Sequence, residues 1–174
     1  MDEIDLIKKA QDGNRLSMNL LLENNYKMLY ALLIKMTTDE ELAKDLTQET
    51  MMKAVMNIKK FRGKSKFSSW LIRIGINNYK NYVKTHKVTY NTLDYELKSR
   101  ENVENLVEAK EQVRKVNEVL KTVKSVDRII FILKYYEGYD YKEISDFTGV
   151  KLGTCKSKMH YLINKLKLEL EVPV

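Results

Sequence analysis

The stretch YKEISDFTGVKLGTCKSKMH, Tyr141 to His160, decides how this chain folds. Tyr141 to Phe147 fits a short helix with Ile144 inward and Asp140 as its N-cap. Gly149-Val150 then supplies a tight turn. A second helix follows, from Leu152 or Gly153 to about Leu170. On it Cys155, Met159, Leu162 and Leu166 recur at i, i+4, i+7 and i+11 and share one face. Thr154, Lys156, Ser157, Lys158, His160 and Tyr161 face outward or flank that stripe. A short helix, a glycine turn and a basic helix without acids have the logic of a helix-turn-helix. In such a unit the start of the second helix enters a major groove, and its N-terminal amides favour phosphate oxygens. The same pattern also suits a helical hairpin that packs on another element. Cys155, at an inward position with no base nearby in sequence, reads as a small core residue.

Upstream of this unit the helical period continues. One helix runs from about Ala109 through Val113, Val116, Val119, Leu120 and Val123, and another from Ser125 to Tyr136 with Ile129, Ile130 and Leu133 inward. The N-terminal half reads the same way. Ile4 to Ala10 gives a first helix closed by Gly13-Asn14, and Leu16 to Met36 a second. A third starts at an Asp39 N-cap and runs to about Lys60, with Leu42, Leu46, Met51, Met52, Val55 and Ile58 inward. The residues from Phe61 to Ser68 break the period and read as a loop. Ser68 or Ser69 then caps a fourth helix, Trp70 to about Thr85, buried through Trp70, Leu71, Ile74 and Tyr82. Residues 86–107 lose periodicity and turn acidic, with two basic and five acidic groups over 93–108, which reads as a linker. The expectation is an all-α chain of two small helical domains, residues 1–87 and 109–174, on a flexible acidic linker, residues 88–108.

Composition agrees. The 174 residues are 44% apolar, with six Gly and one Pro, which favours long helices over turn-dense sheets. One Cys excludes an internal disulfide, and His86 and His160, without acidic or Cys partners nearby in sequence, make no metal site. The longest apolar run, Met28 to Ile34, has seven residues, far short of the roughly 18 a membrane span needs. The start Met1-Asp2-Glu3-Ile4-Asp5 is acidic, unlike a signal peptide. A soluble protein of the reducing cytoplasm is expected, with no cofactor, no metal and no small-molecule substrate. No paired carboxylates and no nucleophile–base pair point to an enzyme.

Charge is unevenly placed. The net formal charge is +7, and Thr50–Leu93 and Phe147–Leu168 contain no acidic residue at all. Residues 61–92 alone carry seven basic groups. Such windows let positive potential add up, as phosphate backbones reward, although a merely solvated basic face is the commoner meaning of one charge run. Lys accounts for 25 of the 31 basic residues, so backbone tracking should outweigh bidentate base reading. In the first window Lys64, Lys66, Arg73, Lys80, Lys84 and Lys87 alternate with Phe67, Trp70, Tyr79, Tyr82 and Tyr90. Cations interleaved with rings suit single-stranded nucleic acid. Asn77 and Asn78 could pair with an exposed base edge.

These segments resemble a known family, the extracytoplasmic-function (group 4) sigma factors of bacterial RNA polymerase. Glu41 to Thr50 is similar to the family's region 2.2. Phe61 to Ile74 with Asn77 is similar to regions 2.3 and 2.4, and Tyr141 to Lys158 to region 4.2. The order and spacing span nearly the whole chain. The resemblance implies a non-enzymatic factor that binds core RNA polymerase, at the clamp helices of its largest subunit and at its flap. Asp45, Leu46, Gln48 and Glu49 would dock on the clamp helices. Lys64, Lys66, Ser68, Trp70, Arg73, Asn77, Lys80 and Lys84 would engage the −10 promoter element as it melts. In that group Asn77 would border the pocket for a flipped-out base, which the Lys64–Ser69 loop would help to hold. Thr154, Lys156, Ser157, Lys158 and His160 would read the −35 duplex. An anti-sigma factor is a further implied partner. Lys124 stands where the family usually has Pro, and Tyr161 to Ile163 replace a commonly Arg-rich stretch.

A linker of this length reaches at most about 75 Å, at roughly 3.5 Å per residue. That covers about two turns of duplex at roughly 34–36 Å each. Two rivals share the residue-level features: a stand-alone helix-turn-helix regulator, and a helical adaptor that binds only protein.

Overall fold

The structure is a computed structural model that describes residues 2–91 and 103–170, with the backbone alone for 103–110. The described residues are helical, without a strand. In order they form α1 (Glu3–Gln11), α2 (Arg15–Thr37), α3 (Glu40–Asn57) with a 3-10 turn Ile58–Lys60, and α4 (Phe67–Thr85). Then come α5 (Val103–Thr122), α6 (Ser125–Phe131) widening into a π turn at Ile132–Tyr136, α7 (Tyr141–Thr148) and α8 (Leu152–Glu169). The chain divides into two compact units, Met1–Lys87 with Asp146–Gly149, and Val88–Ser145 with Val150–Val174.

In the first unit α1 packs on α2, α2 on α3 and α4, and α3 on α4. Leu29, Leu33, Met36, Ala43, Ala54, Phe67, Leu71, Ile76 and Tyr79 are fully buried at its centre. Each large apolar side chain withdrawn from water contributes roughly 1.5–3 kcal/mol. Local chemistry sets the helix ends. Asn14 Oδ1 accepts from Ser17 N at 2.9 Å, and Asp39 Oδ1 from Leu42 N at 3.0 Å, so α2 and α3 each start on a side-chain cap. Thr38 adopts a left-handed φ of 54° and its N–H donates to Ile34 O, which turns the chain between α2 and α3. Gly75 matters for packing: a Cβ there would lie 3.0 Å from Leu29 Cδ1 and press on α2.

Two expectations fail in this unit. Met52 and Val55 point to solvent instead of inward, because the buried stripe of α3 is Ala43, Leu46, Thr47, Thr50, Met51 and Ala54. Thr47 and Thr50 can lie inside because each hydroxyl donates to a carbonyl one turn back, Ala43 O at 2.7 Å and Leu46 O at 2.6 Å. The fourth helix begins at Phe67, with Lys66 in the N-cap position and no cap from its side chain, so neither Ser68 nor Ser69 is the cap. Trp70, Ile74 and Tyr82 are half-buried, while Phe67, Leu71, Ile72 and Ile76 form the inner face.

In the second unit Val119, Leu120, Ile129, Ile130, Leu133, Ile144, Cys155, Met159, Leu162 and Leu166 are buried. The stripe on α8 is therefore the one its spacing implies. Asp140 and Glu143 cap α7 reciprocally: Glu143 N donates to Asp140 Oδ1 at 2.8 Å and Asp140 N to Glu143 Oε2 at 2.9 Å. Between α7 and α8 Gly149 takes a φ of 72°, and Ser145 Oγ donates to Val150 O at 2.6 Å to fix the turn. α5 begins at Val103, ahead of the expected Ala109, so the last residues of the expected linker are helical. Residues 92–102 of that linker lie outside the described residues.

Candidate nucleic-acid interface

Three faces gather the candidate residues. On α4, Arg73, Asn77, Lys80 and Lys84 fall at i, i+4, i+7 and i+11, opposite the buried face, and Arg73, Asn77 and Lys84 are exposed. Directly before α4, Arg62, Gly63, Lys64, Ser65 and Lys66 form an exposed loop, with Gly63 at φ 67°. Its ends are pinned by an aromatic cluster. The rings of Phe61 and Phe67 meet edge-on at 5.9 Å, and Trp70 lies 5.2 Å from Phe61 and 5.6 Å from Phe67. Ser68 is half-buried in the first turn. The result is a cationic loop continuous with a cationic helix face, on which a phosphate backbone can run.

The rings are less available than their spacing suggests. Tyr79 is fully buried and its hydroxyl donates to Met36 O at 2.9 Å, so it is a core residue and no stacking platform. Tyr82 stacks on His86, with centroids 4.1 Å apart. Tyr90 falls in the second unit, beneath the Arg128 guanidinium at 4.3 Å. Asn78 is buried as well: its Nδ2 donates to Thr50 Oγ1 at 3.0 Å and its Oδ1 accepts from Lys53 Nζ at 2.6 Å. It is satisfied inside the protein and offers no edge to a base. Of the two asparagines, Asn77 alone is exposed.

The second face is the outer side of α8. Thr154, Lys156, Ser157 and His160 are exposed there. Lys158 is not free to join them, since its Nζ pairs with Asp127 Oδ1 of α6 at 2.6 Å. It ties α8 to α6 within the second unit. Tyr161, 72% exposed, shares the outer side with Ser157 one turn earlier, and Asn164 Nδ2 lies 3.1 Å from His160 Nε2. Sequence reading left out Tyr161 and Asn164 as readers, although a helical count from Ser157 puts both outward.

The third face is on α3. Asp45, Gln48 and Glu49 are exposed, whereas Leu46 is 3% exposed and belongs to the core. Leu46 therefore cannot dock on a partner; the stripe that buries it is the one formed with Ala43, Thr47 and Thr50. Met52 (65% exposed) and Met56 (79% exposed) extend the outer face by two turns. Glu49 Oε1 accepts from Lys53 Nζ at 2.5 Å. At the helix start the Lys44 ammonium donates to the Glu40 and Glu41 carboxylates, which hold it above its ordinary pKa. This face is acidic, polar and apolar by turns, unlike the cationic face of α4, and suits a protein partner. Cys155 is buried. Among the described residues no cluster of His, Cys, Asp or Glu could hold a metal ion, and no helix is long and apolar enough to cross a membrane.

Comparison with known proteins matches this division. Residues 21–89 match the family model for Sigma-70 region 2, and residues 114–161 that for Sigma-70 region 4. The chain is 26% identical over 168 residues to the ECF RNA polymerase sigma-E factor of Haemophilus influenzae, covering 88% of this chain and 87% of that protein. It is 26% identical over 166 residues to the RNA polymerase sigma-H factor of Pseudomonas aeruginosa, covering 88% and 86%. Among solved structures it superposes on CnrH, determined in complex with the cytosolic domain of CnrY, with TM-score 0.68 at 18% identity, over 99% of each chain. The sigma factor RpoE of Bartonella quintana, in complex with the anti-sigma factor NepR, gives 0.66 at 20% identity, over 92% of this chain and 98% of that one. Region 2 and region 4 in that order cover more than half of the sequence, and the chain belongs to the sigma-70 family as an extracytoplasmic-function sigma factor.

Proposed function

We propose that this sigma factor divides its work among the three faces. Asp45, Gln48 and Glu49, with Met52 and Met56, dock on the clamp helices of the largest polymerase subunit. The loop from Arg62 to Ser68 and the stripe Arg73, Asn77, Lys80 and Lys84 engage the −10 element as it melts. Thr154, Lys156, Ser157 and His160 read the −35 duplex, with Tyr161 beside them. The observation that carries the reading is the outward stripe of α4 running on from a cationic loop, on a helix whose opposite side is fully buried.

The chemistry needs no nucleotide hydrolysis at this step. Extruding a base costs a few kcal/mol, which cationic contacts and a shaped pocket offset. With Tyr79 in the core and Tyr82 stacked on His86, the ring contribution comes from the exposed part of Trp70. Arg73, Lys80 and Lys84 hold the strand, while Asn77 and the loop hold the base. The sigma-70 family is not an enzyme class. The region 2 match over residues 21–89 favours a sigma factor over a stand-alone helix-turn-helix regulator, which needs only the second unit.

By the same reading residues 1–87 and 109–174 are the two working domains, and the polymerase flap meets the second of them. The protein acts in the cytoplasm, and an anti-sigma partner blocks its docking and DNA faces. CnrH and the Bartonella RpoE were each solved with a partner chain, and the latter's is an anti-sigma factor. The test is reconstitution: the chain is mixed with bacterial core polymerase and a promoter library, and start sites are mapped. A shared pair of upstream motifs supports the reading. Core polymerase that initiates no differently with the chain than without it refutes it.

A further inference from the structure

The loop that would capture the flipped base is held from outside the segment that matches region 2. α1 lies ahead of residue 21, where that match begins. Its last residue, Gln11, is half-buried, and its Nε2 donates to two backbone carbonyls, Phe61 O at 2.7 Å and Ile58 O at 3.1 Å. Both carbonyls stand where the α3 segment closes, and Ile58 O there also accepts from Phe61 N at 3.0 Å. Phe61 is also the residue at which the chain leaves its 3-10 turn for the loop. At the far end of the loop Phe67 N donates to Glu3 Oε1 at a looser 3.4 Å. No cap from the Lys66 side chain serves that terminus, and Glu3 brings a negative charge to it. One helix thus grips both ends of the Arg62–Lys66 loop, through residues eight positions apart.

We propose that Gln11 is a positioning residue for −10 base capture: it fixes where the Arg62–Lys66 loop leaves α3, and hence where the base pocket lies. This rests on the assignment of that loop under Proposed function. Gln11 touches no DNA in this account. Its amide is suited to the task because its two N–H groups can serve two acceptors at once. Leu6 and Ala10, buried on the same helix, anchor α1 so that the amide is held in place.

The test uses holoenzyme assembled from core polymerase and the full chain, wild type or Gln11→Met. Met keeps the length and helix propensity of Gln but donates nothing. The probes are single-stranded oligonucleotides carrying the −10 element, intact or with one abasic site scanned through it. The wild type should show one position where base removal weakens binding sharply. Gln11→Met should cut that intact-to-abasic ratio about five-fold, in line with the loss of one or two ordinary hydrogen bonds. Affinity for the abasic probe should hold. A merely structural role would weaken both probes together and leave the ratio alone, and that result overturns the proposal. Gln11→Glu, equal in shape but with a carboxylate facing two carbonyls, should lower the ratio at least as far; an unchanged ratio there also overturns it. A wild type indifferent to every abasic position would instead refute the assignment of the loop itself, and the role of Gln11 with it.

Discussion

Asn78 donates to Thr50 across the α3–α4 contact at 3.0 Å, and this bond fixes which side of α4 faces out. Thr50 in turn donates to Leu46 O, and Asn78 accepts from Lys53, so a buried polar chain crosses from the proposed docking helix to the proposed −10 helix. Gly75, one turn earlier on α4, lies against Leu29 of α2, and a Cβ there would meet Thr50 only at ordinary contact distance. Turning α4 by a single residue would bury Asn77 in place of Asn78. The exposed position of Asn77 therefore follows from a satisfied hydrogen bond, as well as from apolar burial.

Asn78→Ala should destabilise the first unit by about 1–2 kcal/mol, because it removes the bonds to Thr50 and from Lys53, while Thr50 keeps Leu46 O and Lys53 keeps Glu49. Denaturant unfolding reads this directly. A change within experimental error would mean that the chain of bonds does not set the register.

Tyr79→Phe removes one bond, from the hydroxyl to Met36 O, and nothing exposed. Stability should fall by about 1 kcal/mol, with promoter opening by the folded fraction unchanged. Loss of opening at full stability would give the Tyr79 hydroxyl a role outside the core.

Asn77→Ala should impair opening at the −10 element and leave core-polymerase affinity intact, since Asn77 is exposed on the face of α4 opposite the core. The readouts are open-complex yield and holoenzyme assembly. An equal fall in both would mean that the outer face of α4 meets polymerase and not DNA.

Lys156 and Lys158 should separate. Lys156→Ala should lower the slope of log affinity against log salt by about 0.9 on a −35 duplex, one phosphate contact's worth. Lys158→Ala should leave that slope unchanged and cost stability instead, because its charge is engaged by Asp127. The pair is partly solvated, so a double-mutant cycle with Asp127→Ala should give a coupling of only about 0.5–1 kcal/mol. A slope change for Lys158 as large as that for Lys156 would put both on DNA.

Much of this was legible from the residues. The Asp39 and Asp140 caps, the glycine turn at Gly149 and the Cys155–Leu166 stripe are local rules, and local rules survive into the fold. The inward face of α3 was harder. Met52 and Val55 look like core and Thr47 and Thr50 do not, yet the threonines satisfy their hydroxyls within the helix and fit where a larger side chain would hold α4 away. That choice depends on a neighbouring helix, and hydropathy along one segment does not carry it. Lys158 reads as a free cation for a related reason: Asp127 is 31 residues away, and only folding brings the two charges together. Tyr79 reads as an exposed ring because its neighbours are polar, but its hydroxyl finds a carbonyl 43 residues earlier. Gln11, likewise, is an unremarkable helix residue until Ile58 and Phe61 arrive beside it.

The most direct measurement of the central claim is chemical probing of unpaired thymines in a promoter identified by start-site mapping, with core polymerase alone, with this chain alone, and with both. The account predicts reactivity within the −10 element only when both are present, and its loss with Asn77→Ala. Reactivity produced by the chain alone, or an unreactive −10 element in the complete mixture, would contradict it.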